Sequence, residues 1–320
     1  MAFLFKQKAG KKKLKTQASL DVLERLNGYL DENIAEPVQF LVDFWKDQTE
    51  AITYKEIRQA IIDGYMSEET LRLWAQDYSI LVSERMYPLW NQSLAAGSIS
   101  QPVMDRLVTS FAFDLNTPSV MSWINERGAQ FVTAVTAEQK EAIKVFLSEY
   151  VNGTYTVDEL SRVIRPCIGL NKSQSEANLR YYNNIKAKLK KEHPKMKPES
   201  IRKKAREAAT KYAERQHRQR AFDIAQTEMA FGYNKGADEG VRQAQSQNLL
   251  GVMEKRWSTS GDGSVCAVCA ALDGVQIEMD EEFDFKGKVL FAAHKRTPPA
   301  HPKCACGVQY IEISPPIFTE

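Results

Sequence analysis

The sequence predicts an α+β protein that is mostly α-helical: a helical N-terminal domain, a further helical segment, and a small metal-stapled β module at the C-terminal end. Three observations predict it. From Leu20 to about Tyr150 the apolar residues recur at helical spacing. Beyond Gly251 the pattern changes to short apolar runs punctuated by Gly and Pro. Four of the five cysteines then fall in two clusters, Cys266-Ala-Val-Cys269 and His301-Pro-Lys-Cys304-Ala-Cys306. A chain of 320 residues suggests two domains. The expected division is a basic tail at 1–16, a helical domain at 17–154, and a C-terminal domain at 155–320. The last combines helices over 156–247 with the β module over 251–313.

Taken in order, Leu23, Leu26 and Leu30 form one helical stripe, and Ile34, Val38, Leu41, Val42 and Trp45 form another. Ser67 before Glu68-Glu69 reads as an N-cap with acids in the first turn, followed by Leu71, Trp74, Tyr78, Leu81 and Val82. Thr117-Pro118 and the capping-box pattern Thr136-x-x-Gln139 mark two further helix starts. Gly64, Pro88 and Gly97-Ser98 are breaks, and Trp45, Trp74 and Trp90 are expected in the core. A turn at Asn152-Gly153 and a box at Thr156-x-x-Glu159 open the next segment. Cys167, beside Pro166, reads as a small buried hydrophobe. One helix spans 173–193 and stops at His193-Pro194. Ser200 is expected to cap a basic helix whose Ile201, Ala205, Ala208, Ala209 and Tyr212 form a narrow apolar stripe. Its expected neighbour is a separate helix at 219–246, where Gly232, Gly236 and Gly240 recur on one face and imply close approach of another backbone. Strands are expected at Val252–Ser258, Gly274–Met279, Val289–Ala292 and Gly307–Ile313.

The two clusters carry the chemistry. A two-residue spacer lets one turn supply two ligands, and both Cys266/Cys269 and His301/Cys304 have it. Cys306, two residues past Cys304, points to the same side of an extended strand. Cys266, Cys269, His301, Cys304 and Cys306 thus offer five candidates for four places, with zinc as the default ion. A redox dithiol would be expected within a βαβ unit, and the pattern lacks one. Disulfides are disfavoured because no secretory leader is evident and a cytoplasm keeps thiols reduced. No His is followed two residues on by Glu, and no His-Glu-x-x-His occurs, so deaminase and zincin signatures are missing. The expected role of the metal is structural: four short strands bury little surface, and ligand bonds supply what burial does not.

A net charge of +2 conceals strong segregation. Residues 1–16 hold six lysines and no acid; residues 186–220 hold fourteen Lys and Arg against four Glu. The remainder therefore carries a net −14. The block at 1–16 reads as a disordered, solvated tail; as binding segments, such stretches suit an acidic protein surface or non-specific contact with duplex DNA phosphates. No apolar run approaches the roughly 18 residues of a membrane span.

Trp257, Asp262, Cys266-x-x-Cys269, Leu272-Asp273-Gly274 and Pro298-Pro299-Ala300-His301-Pro302-Lys303-Cys304-Ala305-Cys306 together resemble the phage Mu F-type minor head (head morphogenesis) proteins. That family places a segment of the form Ala-Arg-Thr-Glu ahead of its cysteines. Ala225-Gln226-Thr227-Glu228 stands there, followed by Tyr233-Asn234-Lys235-Gly236. Gln226 replaces a common arginine, as does Ala305 between the last cysteines. The resemblance covers about 155–313. It implies a non-enzymatic minor capsid protein of a tailed phage or prophage that associates with the portal, capsid and scaffold proteins. It further implies a place inside the phage head after synthesis in the host cytoplasm, and a contribution to head assembly or to genome packaging and delivery. By itself Glu228 reads as an exposed residue; the resemblance raises the alternative of a structural contact, such as a salt bridge with the basic helix. The alternative is a zinc-dependent enzyme acting on nucleic acid, a treble-clef nuclease using His294 or His301.

Overall fold

Thr16, Thr53, Ser67, Thr156 and Asn171 each accept a hydrogen bond from the backbone N–H three residues on, satisfying donors that the first helical turn leaves unpaired. They open α1 (Gln17–Asn33), α3 (Tyr54–Asp63), α4 (Glu68–Leu81), α7 (Val157–Ile164) and α8 (Lys172–Glu192). The other elements are α2 (Ala35–Ala51), α5 (Tyr87–Ser98), α6 (Pro118–Val151), α9 (Pro198–Ser246), α10 (Ala267–Leu272), β1 (Val252–Ser258), β2 (Gln276–Glu278) and β3 (Gly307–Ser314). The computed structural model describes residues 16–153, 155–285, 291 and 295–316. Residues 1–15 of the basic tail, the expected strand at Val289–Ala292 apart from Phe291, and His294 lie outside the described residues.

Two compact units form, each from discontinuous stretches: Met1–Ile34, Pro88–Ile124 and Asp223–Glu320 make the first, and Ala35–Tyr87 and Asn125–Phe222 make the second. Neither coincides with the chain on one side of residue 154.

In the second unit, α2, α3, α4, α7, α8, most of α6 and the first part of α9 surround a core that includes Trp74, Phe146, Leu160, Tyr182, Ala205, Ala209 and Ala213. Cys167 is fully buried there, and burial pushes its thiol pKa up, in keeping with a hydrophobic role. The alanine stripe of the basic helix packs on α8. Asn178 donates to the Ala209 carbonyl (3.0 Å), Gln174 and Gln216 exchange bonds with each other's carbonyls, and Tyr181 stacks on Tyr212.

Several local expectations are corrected. The segments at 201–220 and 219–246 are one 49-residue helix, α9, so α8 and not a separate later helix is the neighbour of the alanine stripe. Ser200 lies inside that helix, which starts at Pro198. Thr136-x-x-Gln139 lies within α6 and starts nothing. Gln139 instead accepts a hydrogen bond from the Tyr78 hydroxyl (2.7 Å), which in turn accepts from the Trp45 indole N–H (3.0 Å).

His217 stacks on Trp45 and its Nε2 lies 2.7 Å from the Ile168 carbonyl oxygen. Burial, aided by the nearby Arg220, pushes its pKa down to about 4 despite that carbonyl. The unfolded chain therefore binds a proton between about pH 6.5 and 4 that the folded chain refuses, so acidification through this window favours unfolding. Full protonation costs on the order of 3 kcal/mol of stability. Denaturant titrations should show wild-type stability falling more steeply between pH 6.5 and 4 than that of His217→Gln, by up to roughly 1.4 kcal/mol per pH unit.

In the first unit, the antiparallel sheet has the order β2-β1-β3. Helix α1 covers it, and the hydroxyls of Ser19 and Ser258 meet at 2.6 Å. The glycines of α9 do face another backbone, and it belongs to α5. A methyl group on Gly236 would lie 2.1 Å from the Leu94 carbonyl oxygen, and one on Gly240 would lie 2.2 Å from that of Ser98. Glu228 is buried rather than exposed, and the fully buried Trp90 donates from Nε1 to its Oε2 (3.1 Å), a structural contact that anchors α5. Gly236→Ala should lower thermal stability by roughly 1–3 kcal/mol or more through overpacking. Gly28→Ala, in α1 with nothing within 4 Å, should raise it by roughly 0.5–1 kcal/mol. Calorimetric melting of both variants checks the pair.

Candidate metal centre

Cys266 has extended backbone geometry and caps α10, its sulfur accepting the Cys269 N–H at 3.4 Å. One turn thereby directs two sulfurs to the same side. The second segment arrives from the other end of the module. The backbone N–H of Cys304 returns to the His301 carbonyl (3.2 Å), making a tight turn through Pro302 and Lys303. Lys303 takes φ +63°, a left-handed conformation that residues with a Cβ rarely adopt.

The two segments meet. His301 Nε2 lies 3.1 Å from Cys266 Sγ and 3.4 Å from Cys269 Sγ, and the sulfurs of Cys269 and Cys304 are 3.7 Å apart. Two triads result, Cys266/Cys269/His301 and Cys269/Cys304/Cys306, each with its ligand atoms within 4.8 Å of one another. All five residues expected from the sequence are thus brought together, with Cys269 common to both triads. His301 Nδ1 lies 2.8 Å from the Pro302 carbonyl oxygen; donating there leaves the Nε2 lone pair toward the sulfurs.

The donor set fits a cation. Hydrogen bonds from Cys269 and Cys306 hold the Cys304 thiol well below its ordinary pKa, while bonding to Cys304 and Cys306 pushes Cys269 up. Cys306 also lies above its usual value: a bond with Cys269 favours its thiolate, but bonding to Cys304 and burial outweigh it. The fully buried indole N–H of Trp257 lacks a partner of ordinary geometry, and it too favours the Cys306 thiolate. Crowded thiols with converging donors are a setting in which a divalent ion displaces the remaining protons. Four thiols and an imidazole are soft or borderline donors, and the cluster can hold a metal ion.

Helix α9 supports the second segment through residues that the sequence pattern did not single out for this role. Thr227 Oγ1 accepts the Lys303 N–H (3.1 Å), Asp223 pairs with Lys303 Nζ (2.7 Å), and Asn234 Nδ2 donates to the Cys306 carbonyl (3.3 Å). The resemblance placed Thr227 and Asn234 in a motif, but no local signature tied them to the cysteines. Further along, buried Asp238 accepts from the Tyr310 hydroxyl (3.1 Å) and from Arg242 Nε (3.0 Å), and Arg242 also pairs with Asp280. Lys255 is fully buried and donates to the Met279 carbonyl (2.9 Å), and burial lowers its pKa to about 8.

The family model described as phage Mu protein F like protein matches residues 171–309. No curated protein and no solved structure matches the chain.

Because Cys269 belongs to both triads, Cys269→Ser should weaken metal binding more than Cys266→Ser or Cys306→Ser, each of which touches one. Competition with a chromogenic chelator measures the order; equal losses for all three would contradict it.

Proposed function

We propose that this chain, whose residues 171–309 belong with the phage Mu protein F like family, is a minor head protein of a tailed bacteriophage or prophage that acts in head morphogenesis. The observation that carries the reading is the convergence of both ligand clusters inside the matched stretch, with Thr227 and Asn234 of the family-like motif bonded to the second cluster. Zinc is the proposed ion, held by four of Cys266, Cys269, His301, Cys304 and Cys306, and its proposed role is to stabilise the fold of the three-stranded module. The proposed partners are the portal, capsid and scaffold proteins, with the protein inside the head.

Non-specific contact with packaged duplex DNA is a further part of the proposal. Lys190, Lys191, Lys195, Lys197, Lys203 and Lys204 are exposed where α8 turns into α9, without an acidic partner among the described residues. Lysines in such numbers suit phosphates without reading sequence.

The competing nuclease reading needs a free histidine base. His301 lies with Nε2 against two sulfurs and Nδ1 against a carbonyl, which leaves it unsuited to that task. His294 lies outside the described residues.

One preparation tests both the metal and the head role. Protein purified in metal-free buffer should carry about one zinc per chain by elemental analysis, as a single four-ligand site requires. Procapsids assembled with a packaging-defective terminase, and so without DNA, should incorporate the protein. They should incorporate less of a variant lacking residues 1–16, if the tail docks on protein. Absence of zinc would overturn the metal reading, and failure to enter procapsids would overturn the head reading. Equal incorporation of both forms would overturn docking of the tail on protein, and salt-sensitive DNA binding by the full-length protein alone would point to DNA as the tail's partner.

A further inference from the structure

We propose that Thr227 is a positioning residue of the metal centre: with Asp223 and Asn234 it forms a template on α9 that imposes the conformation of residues 301–306. This rests on reading the cysteine and histidine cluster as a metal centre, and it gives a role to residues outside the ligand set.

The problem that the template solves is local. His301 and Cys304 must present their donors in the same direction from a four-residue turn, and the turn requires Lys303 in the left-handed region. Lysine resists that conformation, where glycine would enter it freely. Nothing in the sequence His301-Pro302-Lys303-Cys304 relieves the resistance, so contacts from elsewhere must.

Helix α9 supplies them from one face, since residues 223, 227 and 234 are separated by four and seven positions. Thr227 is the pivot. Its hydroxyl hydrogen is committed to the Asp223 carbonyl (2.6 Å), which fixes its lone pairs, and one of these receives the Lys303 N–H (3.1 Å). Asp223 takes the end of the same lysine side chain at 2.7 Å. Beyond the turn, Asn234 is braced on the Ala230 carbonyl (3.0 Å) and holds the Cys306 carbonyl (3.3 Å). Thr227 and Asn234 are both buried, at 4% and 3% exposure, so water does not substitute for either contact. All these bonds fall on the backbone or on a side chain that is not a ligand, which leaves the sulfurs and His301 Nε2 to the ion.

The test uses the full-length protein with zinc, and with cobalt(II) as a spectroscopic probe. Thr227→Val keeps the shape and loses the acceptor; it should weaken zinc and cobalt affinity by about 10- to 100-fold, the range found for groups that orient ligands. It should also alter the cobalt ligand-field bands, while Thr227→Ser stays close to wild type. Lys303→Gly separates positioning from general packing. A glycine keeps the N–H and enters the left-handed region unaided, so adding it to Thr227→Val should recover a substantial part of the lost affinity. Circular dichroism of the metal-free proteins tests that the helices persist. If Thr227→Val does not fold, Thr227→Ala takes its place in the same comparison. Unchanged affinity and cobalt bands in Thr227→Val would overturn the proposal, and so would a loss that Lys303→Gly leaves untouched. A wild-type protein that binds neither ion is a different result, one that removes the metal reading itself.

Discussion

Where α9 meets α5, the carbonyl oxygens of Leu94 and Ser98 occupy the space that side chains on Gly236 and Gly240 would need. Gly97 of α5 answers in kind, since a methyl group there would lie 2.0 Å from the Tyr233 carbonyl oxygen. Contact at this range removes almost all freedom of sliding or rotation between the two helices, because packed interiors yield little to a displaced atom. Much of the first unit depends on that fixed relation. Thr227, Asn234 and Asp238, spaced by seven and four from one another, share a face about half a turn around the helix from the glycines. One side of α9 is thus locked to a helix, and the opposite side carries the donors and acceptors that reach Lys303, Cys306 and Tyr310.

The polar groups on that second side are costly to bury and are not left single. Asp238 meets both Tyr310 and Arg242, and nearer the glycine face Glu239 pairs with Lys235 and accepts a hydrogen bond from the Ser119 hydroxyl. Removing one member would strand its partners in a poorly solvated interior, a larger loss than the bond itself. The small sheet is therefore fastened in two ways: by a directional polar network on α9, and by the cysteine and histidine cluster at its other end. Both add to an apolar cluster in which Met253, Trp257, Val308 and Tyr310 of the sheet are buried against Ala237, Val241 and Ala244 of α9.

The convergence of the cysteine and histidine cluster was legible because its information is local: a two-residue spacer around a turn means the same thing in any fold. Strand β1 was legible at Val252–Ser258, and so were the caps at Ser67 and Thr156, for the same reason. Local signatures also misled. Thr136-x-x-Gln139 has the residues of a capping box, but Gln139 is engaged with Tyr78, 61 residues away, and the helix runs through. The glycines announced a close backbone without naming it, since α5 lies about 140 residues earlier. Charge blocks and glycines suggested two helices where α9 is continuous; packing on α8 at one end and on α5 at the other sustains it through residues of poor helix propensity. Thr227 had no periodic or spacing signal at all, because its meaning lies in a backbone N–H 76 residues away.

The stretch matched by the family model, 171–309, contains α8, all of α9, β1, β2 and the first three residues of β3, but neither α1 nor α5. What is recognisable as a block is therefore not what folds as one. Joined to a different N-terminal part at residue 171, this stretch would present a glycine-faced helix cut to fit a foreign α5, and a sheet without its cover at Ser19. Such a joint should hold only where the new part agrees at Gly97, Leu94 and Trp90, three positions outside the stretch itself.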